Sequence, residues 1–197
     1  MEQLYFYFDQ SRCVGCNACI VACTDWNDIK PGTEKYRKLE TSEIGSFAQK
    51  NVRVAHLVYA CNHCENPSCL SACPAQAIFK RESDGLVQVD YEKCAGAGEC
   101  VLACPYGAIH MENRGLGEMA YKCTFCWDRL AMGKRPSCVM ACPQRALDTG
   151  TKAALEARYP DVVFGVKAGV ARFPEGTTGQ DGRKVTQTNP SIGFKVK

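Results

Sequence analysis

Cys13, Cys16, Cys19 and Cys23 stand at the spacing C-x-x-C-x-x-C-x-x-x-C, and variants of that phrase recur three more times along the chain. The second holds Cys61, Cys64, Cys69, Cys73 and Pro74, with the middle gap widened to four residues. The third holds Cys94, Cys100, Cys104 and Pro105 on the original ruler, but Ala97 occupies the second cysteine slot. The fourth keeps Cys123 and Cys126, inserts eleven residues, and closes with Cys138, Cys142 and Pro143. The phrases contribute four, four, three and four cysteines, which accounts for all 15 in the chain. Three thiolates from one short loop can cap three corners of a 4Fe-4S cube, because soft sulfur suits iron at near-tetrahedral geometry. The fourth cysteine, one helical turn later and followed by proline, points away and ligates the other cluster of a pair. Such phrases therefore work in pairs, and four of them predict four cluster sites.

Two other uses of clustered cysteine fit less well. Zinc also binds C-x-x-C pairs, but a zinc site closes at four ligands and has no need of the C-x-x-x-C-P ending that recurs three times here. A disulfide framework suits short secreted chains with even cysteine counts. This chain has 15 cysteines in 197 residues and begins MEQLYFYFDQSRC, without the basic and apolar stretches of a secretory signal. At Ala97 one thiolate is missing. The loss of that corner predicts a 3Fe-4S cluster, with a cube completed by water or another ligand, or an empty site, as the alternatives.

Short elements must hold these loops in place. Leu4 to Phe8 reads as a strand entering the first phrase. After Pro74 comes a short apolar run, a Ser83-Asp84-Gly85 turn and a strand from Leu86 to Val89, which is a hairpin signal. The third phrase repeats the plan, with Ala108 to Met111, the turn-like ENRGLG and Met119 to Tyr121. Strand, cluster loop, short helix and strand make the βαβ-like half of a ferredoxin. The expected fold is therefore α+β, with two ferredoxin-like domains built on small antiparallel sheets. The apolar core is limited for this length, so the clusters should act as structural centres and the apoprotein should fold poorly. Beyond Gly150 the cysteines stop. Thr151 is an N-cap candidate for a helix from Lys152 to Tyr159 that ends at Pro160, and VVFGVKAGV reads as a strand. The remainder reads as an extended C-terminal arm, with a disordered tail as the alternative. The alternation of Ile192, Phe194 and Val196 favours docking.

The formal charge of +3 would suit an anionic partner. Three oxidised cubes and one oxidised three-iron cluster, at about −2 each, bring the loaded protein to roughly −5, so a nucleic-acid partner is not favoured. No apolar run reaches the 18 or so residues of a membrane span, and the chain reads as soluble. Its compartment stays open: cytoplasmic, or periplasmic through co-export with a partner that supplies the signal. No G-x-G-x-x-G or P-loop is present, so no flavin or nucleotide is expected and no catalytic residue is assigned.

The phrases DQSRCVGCNAC, CNHCENPSCLSACP and KCTFCWDRLAMGKRPSCVMACPQRAL resemble the four-cluster electron-transfer (beta) subunits of the DMSO reductase superfamily of molybdenum and tungsten oxidoreductases. The likeness covers roughly residues 1–150, and the closing TNPSIGFKVK is similar to that family's terminal arm. Spacing alone equally allows pairing of the first phrase with the second and of the third with the fourth. The resemblance implies nesting instead. Residues 1–48 and 118–150 would form an outer domain, 49–117 an inner one, and 151–197 the arm. It further implies that Cys13, Cys16, Cys19 and Cys142 ligate one 4Fe-4S cluster, and that Cys23, Cys123, Cys126 and Cys138 ligate its partner. Cys61, Cys64, Cys69 and Cys104 would hold a third, leaving Cys73, Cys94 and Cys100 for the 3Fe-4S site. Nitrate-reductase-type subunits of this kind also depart at the second cysteine of the third phrase, with a tryptophan, and hold a 3Fe-4S cluster there. The implied role is single-electron transfer between a catalytic subunit holding molybdenum or tungsten on a pterin and a membrane quinone or cytochrome subunit or a soluble carrier. An electron-transfer subunit of a hydrogenase, formate or aldehyde-oxidising complex is the alternative.

The remaining tempting residues have plainer readings. His63 lies between two cysteines and is expected to face away from the metal, while His56 and His110 read as ordinary strand residues. Trp26 and Trp127 are expected to shield clusters from water rather than relay electrons. Lys122, Arg129, Lys134 and Arg135 surround the fourth phrase, where they would either raise a cluster potential or form a solvated or subunit-facing surface.

Overall fold

The computed structural model describes residues 2–32, 34–165 and 188–195. It is a mixed arrangement of short helices and small sheets. The first strand, β1 (Leu4–Asp9), is followed by α1 (Ala18–Trp26) and then by a hairpin of β2 (Lys38–Ile44) and β3 (Arg53–Tyr59). Next come α2 (Ser68–Ala72), the hairpin β4 (Ile78–Lys80) and β5 (Val87–Val89), α3 (Glu99–Ala103), and the hairpin β6 (Ile109–Asn113) and β7 (Glu118–Lys122). The chain continues through α4 (Trp127–Ala131), α5 (Ser137–Met140), β8 (Leu147–Thr151), α6 (Lys152–Arg158), β9 (Val163–Phe164) and β10 (Ile192–Lys195). The two middle hairpins turn on side chains that mimic a backbone bond. Asp84 Oδ1 accepts from Leu86 N at 3.1 Å, and Asn113 Oδ1 accepts from Gly115 N at 2.8 Å.

Proline controls helix length in the cysteine phrases. Pro74, Pro105 and Pro143 each follow a closing cysteine, and the helices before them run only five, five and four residues. Thr24 imposes no such stop, and α1 runs nine residues through Cys23 to Trp26. α1 packs against α5, and α2 against α3.

β1 explains its own lack of alternation, because both of its faces are covered. Phe6 and Phe8 point into the core shared with Cys19, Cys23, Cys123 and Cys138, and Phe6 lies 4.1 Å from the Phe125 ring. Tyr5 and Tyr7 face the other way, onto Leu155 of α6, with Tyr7 stacked on Tyr159 at 3.8 Å. Thr151 caps α6, its Oγ1 accepting from Ala154 N at 3.3 Å, and the helix ends at Arg158.

The largest sheet has the order β8-β1-β10-β9, and the other three are two-stranded antiparallel hairpins. β1 and β8 are antiparallel, but β10 lies parallel to β1, with Phe6 opposite Ile192 and Phe8 opposite Phe194. The small antiparallel sheets expected are observed, joined by this one parallel pairing: a strand reached only after a long excursion through the rest of the chain is free to enter in either direction. Docking of the closing alternation is observed for Ile192 and Phe194, whereas Val196 lies outside the described residues. Of VVFGVKAGV, Val163–Phe164 forms β9, and residues from 166 onward lie outside them as well. The approach to β10 is anchored on the second cysteine phrase. Glu65 N donates to Asn189 O, Asn66 N to Thr188 O, and Ser191 N to Asn62 O, at 2.9, 3.1 and 3.0 Å. Tyr106 Oη and Thr188 Oγ1 lie 2.6 Å apart.

Phe194 is 6% exposed and meets Phe8 edge-on. Phe194→Ala is expected to cost about 3–5 kcal/mol, read as a lower thermal midpoint for unfolding. An unchanged midpoint would mean that β10 does not support the first-phrase sheet.

Candidate metal centres

Three small, partly open spaces of equal size, each of about 20 Å³, lie among the cysteine loops. One is lined by Cys13, Cys16, Cys19 and Cys142 together with Phe8, Val58 and Leu147. A second is lined by Cys61, Cys64, Cys69 and Cys104 with Val87 and Ile109. The third is lined by Cys73, Cys94 and Cys100, with Ala97 on its wall where the fourth thiol is missing. Cys23, Cys123, Cys126 and Cys138 form one further group: burial raises the Cys123 thiol, and Cys23, Cys126 and Cys138 lie near enough to raise it more. In every group the closing cysteine comes from a different phrase than the other sulfurs, so the cavities lie between paired helices.

All 15 thiols are free. Among the described residues no three Cys, His, Asp or Glu side chains converge closely enough to hold a single ion. Zinc would need its ligand sulfurs about 2.3 Å from one point. Sulfurs standing around a walled cavity suit a cluster of several irons, so the donor sets fit iron-sulfur groups and fit a lone ion poorly.

A common backbone device shapes the four loops. The residue just before the second ligand slot has positive φ in each phrase: Gly15 at 68°, His63 at 44°, Gly96 at 73° and Phe125 at 62°. This left-handed step turns the loop around its contents, and side-chain-bearing residues adopt it only when their surroundings enforce it. His63 and Phe125 enforce each other through an edge-to-face contact at 5.3 Å. At the two glycines the reason is space. A Cβ on Gly15 would lie 2.6 Å from the His56 ring, and one on Gly96 would lie 2.5 Å from the Glu118 carbonyl oxygen.

A second device was missed in the sequence, although the recurring C-P-x-x-A in CPAQA, CPYGA and CPQRA signals it. Four residues after each proline-flanked cysteine, a backbone amide donates to its sulfur. The pairs are Ala77 to Cys73 at 3.3 Å, Ala108 to Cys104 at 3.5 Å and Ala146 to Cys142 at 3.3 Å. Cys23, which has no proline after it, is met at the same offset by a side chain, Asn27 Nδ2, at 3.7 Å. Hydrogen bonds to ligand sulfur stabilise its negative charge and help set a cluster's potential.

Burial makes several of the thiols hold their protons. Desolvation pushes Cys19 up to about 11, Cys23 to about 12 and Cys100 to about 11, and it raises Cys64, Cys69 and Cys123 further. Iron must therefore displace protons as it binds, and in doing so it brings charge that the interior otherwise resists. Two cations lie inside. Lys122 is 2% exposed and donates through Nζ to the carbonyls of Val87 and Cys123. Arg37 is equally buried, and nothing in its local sequence announced that.

The other basic residues near the fourth phrase divide. Arg129 lies over the Trp26 ring at 4.4 Å, Arg135 pairs with Asp148, and Lys134 is exposed. Trp26 and Trp127 are 39% and 45% exposed, so water shielding is not their main contribution. Trp26 Nε1 instead donates to Asp128 at 2.8 Å, and Arg81 lies over Trp127 at 5.4 Å. His63 is wholly buried, its Nδ1 accepting from Val87 N at 3.0 Å, and desolvation lowers its pKa well below the usual value. His56 and His110 lie on β3 and β6. Among the described residues no helix is long and apolar enough to cross a membrane.

Residues 52–152 match the 4Fe-4S dicluster domain family, and residues 10–26 match a 4Fe-4S binding domain. The sequence is 41% identical over 177 residues to a component of the anaerobic dimethyl sulfoxide reductase of Escherichia coli (strain K12), covering 87% of this chain and 82% of that one. It is 37% identical to a subunit of the sulfite dehydrogenase of Allochromatium vinosum, covering 74% of this chain and 68% of that subunit. It is also 32% identical to the formate dehydrogenase-O iron-sulfur subunit of E. coli, covering 79% of this chain and 55% of that subunit. The fold and thiol sets define an iron-sulfur electron carrier. The chain belongs to the family of iron-sulfur electron-transfer subunits of the DMSO reductase superfamily of molybdenum and tungsten oxidoreductases.

The two glycine approaches should separate under mutation. Gly15→Ala adds left-handed strain of about 1–2 kcal/mol against a movable imidazole, and the protein should keep its iron. Gly96→Ala must displace the backbone of β7, so iron per chain and the thermal midpoint should both fall further. Equal losses in the two variants would show that the backbone approach at Gly96 is not limiting.

Proposed function

We propose that this chain relays single electrons through four iron-sulfur clusters, between a catalytic subunit holding molybdenum or tungsten on a pterin and an outer partner. That partner is a membrane quinone or cytochrome subunit or a soluble carrier. The observation that carries this reading is that three of the four cysteine sets each line a separate cavity. Three 4Fe-4S clusters are assigned to Cys13, Cys16, Cys19 and Cys142; to Cys23, Cys123, Cys126 and Cys138; and to Cys61, Cys64, Cys69 and Cys104. The 3Fe-4S cluster is assigned to Cys73, Cys94 and Cys100. The protein's own part is to fix four redox centres in a low-dielectric interior, shield them from water, and bias each one by hydrogen bonds and nearby charge. In this reading the substrate chemistry of the complex belongs to the catalytic partner.

The nested arrangement follows from the same reading. Residues 1–48 with 118–150 make the outer ferredoxin-like domain, 49–117 the inner one, and 151–197 the arm. Pairing of β1 with β8, and packing of α1 on α5 and of α2 on α3, support it. A three-iron cluster generally has a higher potential than a low-potential cube, so the inner domain is the electron sink and faces the outer partner.

Metal analysis of the native complex tests the partner: molybdenum or tungsten is expected, and nickel would favour a hydrogenase assembly. For the clusters, about 15 iron atoms per chain and a three-iron EPR signal in the oxidised protein are expected. Ala97→Cys should abolish that signal as the new thiolate captures a fourth iron. A silent oxidised spectrum with about 16 irons per chain would refute the three-iron assignment.

A further inference from the structure

Arg37 lies between α1 and β2 and is 2% exposed. Its guanidinium sits 4.8 Å from the centroid of the Phe6 ring, and Phe6 lies 4.1 Å from the ring of Phe125, which stands between Cys123 and Cys126. Nε and Nη2 are both buried, and neither has a hydrogen-bond partner among the described residues. Burial works against the guanidinium's charge, and thiolates at Cys138, Cys123, Cys19 and Cys23 would favour it. A guanidinium does not neutralise itself by losing a proton, so a buried one requires a counter-charge. The groups that support its charge are sulfurs, and three of these four belong to the set Cys23, Cys123, Cys126 and Cys138.

We propose that Arg37 is the internal counter-cation of the outer cluster pair and raises the reduction potential of the cluster held by Cys23, Cys123, Cys126 and Cys138. This rests on the reading that those thiols hold a cluster. On reduction the cluster accepts one electron and its total charge becomes one unit more negative. The fixed positive charge stabilises that reduced form, and no proton moves because the guanidinium stays protonated in both states. Cys19 belongs to the neighbouring set, so the neighbour's potential is raised less. Arg37 acts through the charge of the cluster and is a positioning charge.

EPR-monitored redox titration of the purified complex tests this, comparing wild type with Arg37→Gln and Arg37→Lys. Absence of iron and EPR signals in the wild type would remove the cluster reading itself. With clusters present, Arg37→Gln should make reduction of one outer cluster at least tenfold less favourable, about 59 mV for a one-electron couple. The second outer cluster should shift less, and the inner two should stay in place. Arg37→Lys should keep full iron content and midpoints near wild type. Unchanged midpoints in Arg37→Gln, or an equal shift of all four clusters, would overturn the proposal. Should Arg37→Gln assemble without clusters, Arg37→Lys decides. Full iron with near-native midpoints supports the role of charge, and failure of the lysine variant as well overturns it.

Discussion

Inward-facing thiols around shared cavities are the constraint on which this fold depends. Cysteines make up much of the main buried cluster, with Cys19, Cys23, Cys61, Cys64, Cys123, Cys138 and Cys142 among its members. Inward-facing cysteines occupy core positions that larger apolar side chains would otherwise fill, which leaves the core short of packing contacts. The sheets cannot offset that, because three of the four are isolated two-stranded hairpins, which are marginal on their own in water. What fills the cavities is therefore part of the core. The same logic explains the paired helices, since a cavity whose ligands come from two phrases ties those phrases together more firmly than their few apolar contacts would.

Local rules then repeat wherever a cysteine phrase occurs. A left-handed residue bends the loop, a proline ends the helix, and an amide four residues on turns back to the closing sulfur. The first phrase lacks the proline and shows that these parts are separable. Its helix runs longer, and Asn27 supplies through its side chain the donor that Ala77, Ala108 and Ala146 supply through their backbones. The segment from Thr188 to Lys195 adds a connection that no local rule provides. It bonds to the loop around Asn62 and Glu65, then enters the sheet beside β1, joining the second phrase to the first.

Much of this was legible in the residues because ligand spacing is a local property. Four loops, their short helices, the hairpins after Pro74 and Pro105, and the Thr151 cap all follow from neighbours in sequence. What was not legible depends on distant parts of the chain. C-x-x-C spacing does not say which phrase supplies a closing cysteine, and parallel entry of β10 beside β1 is invisible in IGFK. The β2–β3 hairpin escaped notice because KLETSEI is mostly polar and its residues 40–43 are exposed, so no hydrophobic period marks it. Basic residues were the least legible. Lys122 and Lys134 stand twelve positions apart near the same phrase, yet one is buried against two carbonyls and the other faces solvent, a difference only tertiary packing creates.

Ala97 shows how such a scaffold can change its chemistry without changing its shape. Its loop keeps the left-handed glycine before the second slot, and Gly98 at φ 86° precedes α3 much as Asn17 at φ 61° precedes α1. The helix, the closing Cys104 and the sulfur-directed amide of Ala108 are all retained. The cavity volume matches the other two, at about 20 Å³ in each. Substitution at this slot therefore removes a donor and leaves the loop intact. Because the loop's geometry is set by its backbone, one side chain can change the donor set of a site while the rest of the fold is kept.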